Sequence, residues 1–294
     1  MEKFISCDTA FEKAKIVLFG AGFDGTTSYR PGTRFAPSKI RAESFGIETY
    51  SPFLDKDLSD SIENGGAAVC DIGDLDLPYG NTVRVLDMVQ KQAETIFAAN
   101  KKPVMLGGEH LITLGMFKAA LAKYPDLLIV HFDAHTDLRE SYIDEPLSHS
   151  TVIKRCYDEM QKHSSNKKKN AKSVRIFQFG IRSGERAEFE FAKQNTYLCK
   201  NDFSTLADIL PIIKNKPVYL TVDLDVLDPS EFPGTGTPEA GGVRYGDLLR
   251  ATEAIAQTAN IIAADIVELN PMLDSTGISI ALACKYLREV LLMI

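Results

Sequence analysis

Leu127-Leu-Ile-Val-His-Phe-Asp133-Ala-His135-Thr-Asp137 is the stretch whose reading decides the fold. An apolar run ends, and three side chains able to bind a metal follow at i, i+2 and i+4. On an extended strand end that spacing points all three to one side. Two more stretches repeat the plan. Pro103-Val-Met-Leu106 runs into Gly107-Gly-Glu-His110, and Val218-Tyr-Leu-Thr-Val222 runs into Asp223-Leu-Asp225. An apolar run of this kind suits a strand covered on both faces. Similar runs occupy 15–20, 174–179 and 261–267. Between them lie stretches with helical periodicity at 82–99, 110–123, 151–162, 184–194, 203–214, 245–258 and 279–292. In the first of these, Val85, Val89, Ala93, Ile96 and Phe97 recur at three- and four-residue steps. Strand–helix alternation predicts an α/β fold: one three-layer α/β/α domain over residues 1–294 with a mostly parallel central sheet. Ligands of such sheets bind beyond the carboxyl ends of the strands, where all three motifs lie.

Composition narrows the function. The chain has 294 residues, 45% apolar and 25% charged, enough to bury a core without staples. A net charge of −7 argues against a polyanionic partner and suits a cationic small molecule. No run is long and apolar enough to predict a membrane span, and the stretch Met1-Glu-Lys-Phe-Ile-Ser-Cys7 has no signal-peptide core. Cys7, Cys70, Cys156, Cys199 and Cys284 are odd in number and widely spaced, which reads as reduced thiols in a cytoplasm. The lysine-bearing stretch 163–170 reads as a solvated loop, and His163 with it. The Gly-rich stretch from Gly20 to Arg34 has no Walker lysine and fails G-x-G-x-x-G, so it reads as a loop on the substrate side.

His110, Asp133, His135, Asp137, Asp223 and Asp225 form a set of four carboxylates and two imidazoles. Either D-x-D or G-G-E-H alone is an ordinary loop; three such motifs after three apolar runs predict a binuclear metal centre. An oxygen-rich set without thiolate favours manganese or magnesium, and the imidazoles favour manganese. Two divalent cations against four carboxylates reach formal neutrality and leave room for a bridging hydroxide. That nucleophile suits a resonance-stabilised guanidinium carbon, with a carboxylate relaying the proton to the leaving amine. His131 shares the strand parity of Asp133 but lies deeper, and is expected to be a hydrogen-bonded core histidine. Glu109 is the weaker ligand candidate beside His110. A binuclear phosphoesterase would also use D-x-H, but it needs further histidines, and none follows His163.

These residues resemble the ureohydrolase family, the arginase and agmatinase group. Gly-Gly-Glu-His110 is similar to its first metal motif, Asp133-Ala-His-Thr-Asp137 to its second, and Thr221-Val-Asp-Leu-Asp225-Val-Leu-Asp-Pro229 to its third. Within the family the agmatinase branch is nearest, through Ser28-Tyr-Arg-Pro-Gly-Thr-Arg34 with Ile40-Arg41, and through Gly234-Thr-Gly-Thr-Pro-Glu-Ala-Gly-Gly242. The resemblance implies two Mn2+ ions, hydrolysis of agmatine to putrescine and urea, and a homo-trimer or homo-hexamer. It implies that Glu268 binds the guanidinium, that His149 shuttles protons and that Asp137 is both ligand and catalytic carboxylate. Leu111, Ser150, Ala36 and Phe232 depart from the family pattern. Arginases hold the amino-acid head of arginine with an asparagine near the position of Leu138-Arg139; its absence favours a substrate without an α-carboxylate. Arg139 is then either a surface residue or a receptor for the carboxylate of another guanidino compound, such as guanidinobutyrate. Asp144 and Glu145 are expected to attract a cationic tail. A metal-binding homologue without activity is the alternative outside enzymology.

Overall fold

Strand β1 (Ile16–Ala21) is buried along its whole length, and its side chains alternate between two cores. Ile16 and Leu18 face one, Val17 and Phe19 the other, which is the period-2 pattern of a strand sandwiched between helices. The other strands are β2 (Tyr50–Ser51), β3 (Lys56–Asp57), β4 (Val69–Asp74), β5 (Lys102–Gly107), β6 (Leu128–Phe132), β7 (Ile176–Ile181), β8 (Tyr197–Lys200), β9 (Pro217–Asp223) and β10 (Asn260–Val267). The structure is a computed structural model and describes residues 2–164 and 174–294. Most of the lysine-bearing stretch expected as a solvated loop lies outside the described residues. His163 is exposed but belongs to the last turn of a helix, not to a loop.

Eight strands form one sheet in the order β4-β1-β5-β10-β9-β6-β7-β8, and every pairing is parallel. Strands β2 and β3 make a separate antiparallel pair. Helices α1 (Ala36–Glu43), α6 (Leu206–Ile213), α7 (Tyr245–Thr258) and α8 (Ile278–Met293) share one core. Helices α2 (Thr82–Ala98), α3 (Thr113–Lys123), α4 (Val152–Ser164) and α5 (Arg186–Asn195) cover the opposite face. The three-layer α/β/α arrangement is therefore the expected one. After β5 the chain crosses to β6 and moves outward through β7 and β8; β9 and β10 later fill the gap between β5 and β6, and so flank the crevice where a ligand site is expected.

Register sets up that crevice. Val267 pairs with Asp223 and Phe132 with Val222, so Glu268 and Asp133 emerge at the level of Asp223. At the end of β5 the chain passes directly against the backbone of the loop that follows β1. A Cβ on Gly108 would stand 1.9 Å from the Phe23 carbonyl oxygen, and one on Gly107 would stand 2.5 Å from Val267 Cγ1. The two glycines of Gly107-Gly-Glu-His110 are there to let His110 descend to the sheet edge.

Candidate metal and guanidinium site

Four central strands deliver the expected residues to one place. His110 Nδ1 lies 3.1 Å from Asp133 Oδ2, 3.2 Å from Asp137 Oδ2 and 3.3 Å from Asp223 Oδ2. That nitrogen is buried and has no hydrogen-bond partner. A lone pair aimed at three carboxylate oxygens, with nothing between them, is what a cation requires. Beside it, His135 Nδ1 is 3.0 Å from Asp225 Oδ2 and 3.5 Å from Asp133 Oδ1. Asp133 thus faces both positions, one oxygen to each. Two groups of potential ligands, sharing Asp133, emerge from geometry alone.

The way these side chains converge differs from the expected one. Asp133, His135 and Asp137 do not lie on a continued strand. His135 pairs only with Ser183, in an isolated bridge, and Asp137 has φ +52°. Glu268 has φ +65°. Both are non-glycine residues in the left-handed region, a strained backbone found most often where a side chain has a task.

Hydrogen bonds fix the tautomers. Thr221 Oγ1 donates to Asp265 Oδ1 at 2.7 Å and so accepts from His110 Nε2 at 2.8 Å. The ring proton is thereby held on Nε2 and the Nδ1 lone pair left for a metal. Asp265, fully buried, is gripped on its other oxygen by the Tyr219 hydroxyl. His131 has the opposite arrangement. Gln178 Nε2 donates to the Thr136 carbonyl at 2.8 Å, which identifies it as the amide nitrogen, and also to His131 Nδ1 at 3.1 Å. His131 Nε2 then donates to Asp133 Oδ2 at 2.7 Å. Although its ring stands among the potential ligands, it has no lone pair left and orients Asp133, as a core histidine should. Glu109 is also used up: it accepts from Thr26 N at 2.9 Å, from the Thr26 hydroxyl, and from Thr27 Oγ1 at 3.0 Å.

Charge tells the same story. Burial, then Asp225 and Asp133, push the Asp223 carboxyl well above the usual range; burial and Asp133 raise Asp137. Burial opposes a charge on His110 and His135, yet their carboxylate neighbours raise both imidazoles well above the ordinary value. The cluster draws in positive charge, as protons or as cations, and two divalent ions fit its donor set and its sign.

Next to the cluster, Glu268 Oε1 accepts from the His110 amide at 2.8 Å and lies 3.4 Å from His149 Nδ1. Ser28 N donates to His149 Nε2 at 3.1 Å, leaving the imidazole proton on Nδ1, facing Glu268. Burial disfavours the charged ring but Glu268 outweighs it, raising His149 to about 9. Sequence reasoning placed the 20–34 loop on the substrate side, and Ser28 lines the cavity; the Thr26–Glu109 and Ser28–His149 contacts themselves had no signal in the sequence. Ser150 sits in the short 3-10 turn His149–Thr151, where no glycine is required. Leu111, Ala36 and Phe232 are buried core residues.

A cavity of about 230 Å3 opens onto the cluster; His135, Asp137 and Asp223 line it together with Thr237, Arg139 and Tyr142. Arg139 is not free: its guanidinium bonds Glu185 at 2.7 Å, stands 3.6 Å from Glu188 and packs over the Tyr142 ring. Asp144 and Glu145 do not line the cavity, contrary to expectation. They belong to an exposed turn closed by two backbone bonds between Tyr142 and Glu145, with Ile143 and Asp144 at positive φ, which turns both carboxylates to solvent.

The profile of the Arginase family matches residues 14–293. An agmatinase of Bacillus cereus is 45% identical over 292 residues, 98% of this chain and 95% of that protein. An N(1)-aminopropylagmatine ureohydrolase of Thermococcus kodakarensis is 37% identical over 88% of this chain and 83% of that one. Among solved structures, an agmatine ureohydrolase of Thermoplasma volcanium superposes with a TM-score of 0.85 at 31% identity, covering 100% of this chain and 94% of that one.

Proposed function

The chain belongs to the Arginase family, and on that footing we propose that it is an agmatinase, converting agmatine and water to putrescine and urea. The family is built on a binuclear metal site, and Mn2+ is the ion we assign to it. His110, Asp133, Asp137 and Asp223 would hold one ion; Asp133, His135 and Asp225 the other. When bound, the ions supply an activated water at neutral pH and neutralise the acidic cluster. Glu268 accepts hydrogen bonds from the planar guanidinium and turns its carbon toward the cluster. Asp137 takes the water's proton and passes it to the departing amine as the C–N bond breaks. His149, whose Nδ1 proton faces Glu268, exchanges protons between this site and the cavity.

The state of Arg139 carries the choice of substrate. A carboxylate-tailed compound such as guanidinobutyrate would need a free cation at the far end of the cavity, and Arg139 is already neutralised by Glu185 and Glu188. Among the described residues no helix is long and apolar enough to cross a membrane, and the five cysteines are free and buried. We assign the protein to the cytoplasm as a homo-trimer or homo-hexamer, an assembly that light scattering would read directly.

The test is urea release by the Mn2+-loaded protein from agmatine, arginine, guanidinobutyrate and guanidinopropionate. Agmatine is expected to have the highest kcat/KM, with its lead narrowing at high ionic strength. A higher value for guanidinobutyrate would replace agmatinase with guanidinobutyrase.

A further inference from the structure

We propose that Glu239 binds the far-end ammonium of the substrate and so sets the preference for an amine-tailed guanidine; the inference rests on the agmatinase reading above. Glu239 lies in the loop 234–242, and its side chain stands at the rim of the cavity beside the outer metal position. Its Oε1 accepts from the Ser183 hydroxyl at 2.9 Å and is 3.8 Å from His135 Nε2; Ser183, His135 and Thr237 all line the cavity. The loop is pinned from below. Arg182 Nη2 donates to the Glu239 carbonyl at 2.9 Å and to the Asp225 carbonyl at 2.7 Å, and Arg30 Nε donates to the Gly236 carbonyl at 3.1 Å. These contacts fix the backbone that carries Glu239, while its side chain remains 41% exposed.

Elimination among the neighbouring carboxylates singles it out. Asp137 and Asp223 face the metal positions. Glu188 is buried and taken up by the Thr136 hydroxyl, the Leu138 amide and the Glu185 amide. Glu185 is paired with Arg139. Glu239 has only the Ser183 hydroxyl and the distant edge of an imidazole, and no lysine or arginine pairs with its carboxylate among the described residues. A guanidinium bound at Glu268 with its carbon against the cluster sends its alkyl chain out past His135 and Thr237. At the rim the ammonium then meets Glu239, which contacts the lining residues Ser183 and His135, while the Arg139 that lines the cavity is already neutralised. An ammonium is attracted to Glu239 and a carboxylate repelled by it.

The experiment compares wild type, Glu239→Gln and Glu239→Lys, each loaded with Mn2+ and assayed for metal content, on agmatine, guanidinobutyrate and butylguanidine. Butylguanidine keeps the reacting end and lacks the amine. Replacing one half-exposed charge partner is expected to lower kcat/KM for agmatine about tenfold more than for butylguanidine, chiefly through KM. Glu239→Lys should shift the guanidinobutyrate-to-agmatine ratio upward further still. Equal losses on agmatine and butylguanidine, or a fall in bound metal, would show that Glu239 acts through His135 and overturn the proposal. So would an unchanged KM for agmatine. Wild-type protein that fails to turn over agmatine overturns the agmatinase reading itself, and is seen before any variant is measured.

Discussion

At the residue scale, side chains that face the proposed metal positions are distinct from those assigned to the substrate, although they lie within a few ångströms of one another. Asp223 Oδ2 faces His110 Nδ1, whereas the Glu268 carboxylate accepts from the His110 main chain and lies beside His149. Asp223→Asn removes a charge that holds a divalent ion and should leave a folded protein with fewer than two bound metals and little activity. Glu268→Gln keeps the shape and should retain both metals while kcat/KM falls by about two orders of magnitude, the scale of a lost charge-assisted contact. Elemental analysis beside urea kinetics separates them: full metal content in the first, or metal loss in the second, reverses the assignment. The six ligand candidates were legible because each follows an apolar run, so their proximity could be read from one chain. The residues that fix their tautomers were not, although a charged Asp265 inside the apolar run Ile261–Val267 is the kind of signal that marks a buried partner. Glu239 had no signal at all, since nothing in its spacing shows which loop faces the cavity.

At the element scale, the strands missed by pattern are the two-residue pair β2 and β3 and the two edges of the large sheet. Val69-Cys-Asp-Ile-Gly-Asp74 mixes polar with apolar residues because it has one neighbour, and its buried Asp71 is satisfied by Arg41 Nε at 2.7 Å. Tyr197-Leu-Cys-Lys200 has only four residues. Edge strands are short and broken by charge for good reason, and so look least like strands. Helix α1 was missed because Ile40 is the one large apolar residue among its eight, too few to mark a periodicity. The start of α8 depends on a side chain that periodicity does not register. Asp274 accepts from Thr276 N at 2.9 Å and from Ser279 N at 2.7 Å, tying the turn before the helix to its first residues. Burial opposes its charge, but these bonds win and lower its carboxyl to about 2. A depressed folded-state value means the stabilisation is complete above the unfolded value near 4 and is lost as pH falls through 2. Asp274→Ala should cost about 1–2 kcal/mol at pH 7 by denaturant unfolding. That deficit should shrink between pH 4 and 2; a deficit independent of pH would mean the charge plays no part.

At the scale of the whole molecule, sheet order and chain order disagree. The last strand in sequence, β10, lies between β5 and β9 and joins the half that carries His110 to the half that carries Asp133 and Asp223. Until residues 260–267 are in place, the central strands on either side present unpaired, mostly apolar edges. A chain ending at Ala259 should therefore be aggregation-prone and unable to retain two Mn2+ ions, measurable by light scattering and metal analysis of the fragment. A monodisperse fragment that keeps both ions would show the two halves closing on each other without β10. During synthesis the protein is thus open along its midline until residues 260–267 have left the ribosome. A ribosome stalled before that point leaves behind two sticky halves instead of a slightly shortened enzyme.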